Sequence, residues 1–202
     1  MRTLLAHSWD RPLNSHDIET RSTWAALSRD HGWMPSTESL ARDLQNLAAL
    51  WSIGGIRAIK VVDAACNALI AGLDSPTLRT LAACTRAEAG YDVPELLPKA
   101  LSELGLDFYP YDSDAGREAA ARALAGQMLA GEMTPRELAF HIHQNFGHEL
   151  PLAERLAELD DEYDILEYGD RTAEQVDAEV AAEARRLADH PRVSLEPTDT
   201  SS

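Results

Sequence analysis

Thr134-Pro135-Arg136-Glu137-Leu138-Ala139-Phe140-His141-Ile142-His143-Gln144-Asn145-Phe146-Gly147 carries the start and the stop of a single helix. Threonine followed three residues later by glutamate is a capping box, in which each side chain satisfies a backbone N–H of the other. Proline fits the first helical position, where its missing N–H costs nothing. Gly147 after Phe146 supplies the left-handed residue on which helices commonly end.

The same punctuation recurs in both directions. Downstream, Thr172-Ala173-Glu174-Gln175 reads as a second box with glutamine in the reciprocal position. Upstream, Asp92-Val93-Pro94-Glu95 reads as a third, and Ser75-Pro76 as an N-cap followed by proline. Ser36 precedes Leu40, Leu44, Leu47 and Trp51, which recur at helical spacing, and Gly72, Gly105 and Gly131 mark further stops. No segment sustains the period-two alternation of a strand. The reading is an all-α chain, a multi-helix bundle or irregular array of about eight to nine short helices.

Helices are expected over 16–30, 37–53, 55–72, 76–83, 93–104, 114–130, 135–147, 151–163 and 173–189, with Gly54-Gly55 interrupting one long run. The stretch 106–112 is the least helical, and its Phe108, Tyr109 and Tyr111 are expected to fold over a core edge. It divides an N-terminal helical bundle, 1–110, from a C-terminal acidic helical part, 111–190, packed on it. Residues 191–202 have the polar, proline-bearing composition of a disordered tail. The Trp-bearing stretches 8–12 and 31–35 are expected to plug the end of the bundle.

At 202 residues and 45% hydrophobic, the chain can bury a real core. Only 6% is aromatic, so Leu, Ala, Ile and Val must fill it. A net charge of −16 argues against a nucleic-acid binder, because Lys and Arg hold phosphates. It argues equally against an anionic membrane surface. Two cysteines, Cys66 and Cys84, make no disulfide framework, and Cys66 is expected to be a buried structural thiol. The first residues lack the apolar stretch of a signal peptide. No run approaches the length of a membrane span. A cytoplasmic protein is expected.

The charge is uneven. Residues 1–60 are nearly neutral, whereas 149–190 carry 14 acidic and 4 basic side chains. Within that region lies Glu158-Leu159-Asp160-Asp161-Glu162-Tyr163-Asp164-Ile165-Leu166-Glu167-Tyr168-Gly169-Asp170. Leu159, Tyr163, Leu166 and Tyr168 read as the inner side of a half-buried segment whose outer face is carboxylate-rich. Calcium loops alternate their ligands around a glycine turn, and this run lacks that order.

Three of the seven histidines, His141, His143 and His148, fall in eight positions. On a continuous helix His141 and His143 point nearly opposite ways. His141 and His148 share a face but stand about 10 Å apart along the axis, too far for one ion. His143 and His148 pair poorly unless the helix ends at Gly147. No metal and no cofactor are expected on this geometry. Phosphate-binding loops, the dinucleotide fingerprint, the nucleophile elbow and His-Glu-x-x-His are all missing from the sequence.

Two function classes follow. The first is a non-catalytic intracellular binding or regulatory protein that steers a basic protein partner onto Asp160, Asp161, Glu162, Asp164 and Glu167, with His141 and His148 beside them. An immunity- or antitoxin-like role is its most concrete member. The alternative is a helical-bundle enzyme using His141, His148 and nearby carboxylates.

Overall fold

The computed structural model describes residues 36–189. The helix expected over 16–30, the Trp-bearing stretches 8–12 and 31–35 and the tail 191–202 lie outside them.

Among the described residues the chain is all-helical, with eight α-helices, one 3-10 turn and no strand. They are α1 (Thr37–Ser52), α2 (Ala58–Ile70), α3 (Pro76–Ala82), α4 (Ala89–Glu103), α5 (Asp114–Leu129), α6 (Pro135–Phe146), α7 (Glu154–Asp164) and α8 (Ala173–Asp189), with the 3-10 turn at Leu166–Tyr168. No helix among them is long and apolar enough to cross a membrane.

The ends follow their caps. Ser75 Oγ accepts the Leu78 N–H at 3.1 Å and starts α3. The Thr134 box is complete in both directions, Glu137 N–H to Thr134 Oγ1 at 3.2 Å and Thr134 N–H to Glu137 Oε2 at 2.8 Å. Thr172 and Gln175 exchange the same pair of bonds at the start of α8. Gly72, Gly105, Gly131 and Gly147 all adopt positive φ at the stops, and Gly54 does so at the break after α1.

One start differs. The box read at Asp92 does not form, and α4 begins at Ala89 with Pro94 and Pro98 inside it. No side chain caps it; a turn precedes it, in which Thr85 donates its N–H and its hydroxyl to Glu88 Oε2 at 2.9 and 2.7 Å. Pro94 has no N–H for the Gly90 carbonyl one turn back, but Gly90 is exposed and water can serve it. Two further differences are smaller: Pro151–Ala153 form a turn, so α7 starts at Glu154 rather than at 151, and α2 starts at Ala58 rather than at 55.

Two buried clusters result. One gathers Leu44 and Ala48 of α1, Val61 and Ala65 of α2, Leu78 and Leu81 of α3, and Val93, Leu97 and Leu101 of α4. The other gathers Ala49 and Leu50 of α1, Ala121 and Leu124 of α5, Leu138 and Ile142 of α6, Leu156 and Leu159 of α7, and Val180 and Leu187 of α8. Helix α1 thus serves both, with Leu47 and Ile56 packed against each. In the connecting loop Phe108 covers the first cluster and Tyr109 the second, while Tyr111 stays exposed. Cys66 is only half-buried, its thiol donating to the Ala82 carbonyl at 3.3 Å.

Candidate functional site

Helices α6 and α7 pack side by side, and the register between them assembles the densest group of functional side chains. Helix α6 buries Leu138, Ala139, Ile142 and Phe146. His143 lies one turn past Ala139, on the edge of that stripe facing α7, and His141 lies on the opposite edge. Helix α7 buries Leu156, Leu159 and Tyr163. Asp160, one turn past Leu156, stands at the border of that stripe, and Asp161 points further out.

His143 Nδ1 is 3.0 Å from Asp160 Oδ2 and 3.6 Å from Asp161 Oδ1. His148 Nε2 is 3.3 Å from Asp161 Oδ2. The two imidazoles meet edge to face, with centroids 5.0 Å apart. One donor atom from each of His143, His148 and Asp161 lies within 4.8 Å of the other two.

The histidine pair therefore differs from the one the sequence spacing favours. His141 and His148 do not share a site; His141 stands outside the cluster with its ring edge-on to Phe140 at 5.7 Å. The cause is the stop. Helix α6 ends at Phe146, and Gly147 at φ 56° turns the chain out of the helix. His148 is thereby released from helical phase and folds back beside His143. The sequence carried a signal for this, because glycine at that position predicts the break.

The acidic run divides in two. Glu162 is not an outward-facing charge: it pairs with Arg155 at 2.9 Å and with Arg171, and both arginines also reach Glu179 of α8. Glu158 first, then Glu179 and Glu162, hold the Arg155 guanidinium firmly in its charged form, and Arg155 with Arg171 in turn keeps the Glu179 carboxyl below its ordinary range. Asp160 is largely covered and engaged by His143. Tyr163 is buried, stacks under the Arg136 guanidinium and donates its hydroxyl to Asp177; burial and that carboxylate push the phenol well above its usual range.

Asp161, Asp164 and Glu167 face outward. Asp164 has Arg136 at 3.8 Å. Tyr168, read from the sequence as an inner residue, is 82% exposed, and Ile165 is 60% exposed. Both sit beyond the end of α7, where the 3-10 turn replaces the α-helical phase on which the inward reading rested. Alongside runs an open groove of about 440 Å³ lined by Thr134, Arg136, Glu137, Phe140, Asp160 and Asp164. Phe140 contributes an exposed ring to this side of α6.

No family model matches the chain, and neither a curated protein nor a solved structure matches it.

Proposed function

We propose that this is a non-catalytic cytoplasmic binding or regulatory protein whose acidic corner at 161–170 meets a basic protein partner. The observation that carries the reading is the exposure of Ile165 and Tyr168 among Asp161, Asp164, Glu167 and Asp170. Carboxylates alone keep a surface soluble. Two large apolar side chains held in water do the reverse, and an aromatic anchor inside a charged rim is the composition of a binding hot spot. The partner is basic by charge complementarity, since residues 149–190 carry a net −10. An immunity- or antitoxin-like role, in which an acidic surface covers a basic functional face, is its most concrete form.

Of the catalytic alternative, a helical-bundle enzyme using His141, His148 and nearby carboxylates, His148 stands beside a carboxylate, Asp161; the exposed Ile165 and Tyr168 favour binding.

The test is affinity capture from native lysate with the wild-type chain and with a variant carrying Asp161→Asn, Asp164→Asn, Glu167→Gln and Tyr168→Ala. A basic protein held by the first and lost from the second supports the reading. With that protein purified, its association rate should fall as ionic strength rises. Retention by the variant, or association indifferent to salt, overturns it.

A further inference from the structure

The His143–His148–Asp161 cluster has the composition and spacing of a divalent metal centre. We infer that these three residues bind one first-row transition-metal ion of the Zn²⁺ class, with Asp160 at its edge as an additional anionic oxygen. The inference goes beyond the partner-binding reading and does not depend on it.

The donor set comes first. Two imidazoles and a carboxylate suit zinc and its neighbours, whereas magnesium and calcium take oxygen ligands almost exclusively. The spacing agrees. Bonds of 2.0–2.1 Å place the donors around one ion about 2.9–3.4 Å from each other, octahedral to tetrahedral. Asp161 holds its two oxygens 3.6 Å from His143 Nδ1 and 3.3 Å from His148 Nε2, one donor atom from each of the three ligands lies within 4.8 Å of the others, and Asp160 Oδ2 adds a 3.0 Å contact to His143. Small side-chain rotations close the remainder.

Charge agrees as well. With both histidines neutral, Asp160 and Asp161 give the cluster a charge of −2, which a divalent cation cancels. His143 lies in the last turn of α6, where the negative pole of the helix favours a cation. The ligands are also held from two independent elements. His143 is fixed on α6 and Asp161 on α7, while His148 arrives on the turn that Gly147 opens. Three protein ligands leave a coordination position for water or for a group brought by another molecule.

The measurement is isothermal titration of Zn²⁺ into tag-free full-length chain, with Co²⁺ absorption spectra as the second readout. Wild type should bind one Zn²⁺ at this site. His143→Gln, His148→Ala and Asp161→Asn should each weaken it at least tenfold, because each removes one of three ligands. His141→Ala should leave affinity unchanged. Co²⁺ should show the visible bands of a low-coordinate nitrogen–oxygen site in wild type and His141→Ala and lose them in the other three. Each ligand is partly exposed, and circular dichroism establishes that each variant is folded. Should one variant fail to fold, the remaining two carry the comparison. Zinc binding equal in wild type and in the His143→Gln/His148→Ala double variant overturns the site. So does Mg²⁺ or Ca²⁺ binding as tightly as Zn²⁺, which would mean that carboxylates alone attract the ion.

Discussion

Glu103, at the end of α4, accepts two hydrogen bonds from Thr77 at the start of α3, from the backbone N–H at 2.9 Å and from the hydroxyl at 2.6 Å. The seven-residue helix α3 is too short to be stable alone. Its free N-terminal donors are satisfied from within by Ser75 and from outside by Glu103.

These bonds hold the Glu103 carboxyl below its ordinary value of 4.5, Thr77 being the principal cause. A lowered folded-state value means the stabilisation is fully present above the unfolded value and lost as pH falls through the folded one. Wild type should therefore lose more stability than Glu103→Gln on acidification from pH 5 downward, and the variant should melt lower at pH 7. Thermal melts across that range check this; parallel curves would contradict it.

Ser75→Ala removes the N-cap of the same helix, from a residue that is 5% exposed. Urea unfolding should show a loss of about 1 kcal/mol, with Ser75→Asp close to wild type.

Glycines in α5 should respond in opposite directions. A Cβ at Gly116 would lie 2.9 Å from Ser52 Oγ and 3.2 Å from Tyr109 Cβ, because α5 and α1 approach closely there. Gly116→Ala should cost about 1–3 kcal/mol by overpacking. A Cβ at Gly126 meets nothing within 4 Å, and Gly126→Ala should gain about 0.5–1 kcal/mol from helix propensity alone.

Glu162 and Glu167 are five residues apart in one acidic run, yet neutralising them should differ. Glu162→Gln breaks the network with Arg155 and Arg171 that ties α7 to the start of α8, and should cost about 1 kcal/mol. Glu167→Gln, exposed and away from that network, should change stability by less than about 0.5 kcal/mol. Guanidinium unfolding would mask the ion pairs, so urea is the denaturant to use.

Leu156→Ala empties a fully buried position between α7 and its neighbours and should cost about 2–5 kcal/mol.

Helix ends were legible because their chemistry is local. Ser75, Thr134 and Thr172 sit beside the N–H groups they cap, so three or four letters suffice to find them. Asp92 misleads because Pro94 after it reads as an early-turn residue, whereas the helix already runs from Ala89, past a turn at Thr85–Glu88 further back. The acidic run was visible as composition, but its division was not. Whether Glu162 faces water or Arg171 depends on how α8 returns across α7, which no local pattern encodes. The histidine cluster lay between these cases. Its break at Gly147 could be read, whereas the partner Asp161 required the pairing of α6 with α7.

Adjacent residues of α1, Ala48 and Ala49, are buried in different clusters. A wall with a room on either side cannot be taken down for one room only. Losing α1 from the α5–α8 side strips the α2–α4 side of the same backbone, so the described helices should melt in one cooperative step. An ion fastened at the outer edge of α6 and α7 would then raise the melting temperature of α3, in the other cluster, without touching it.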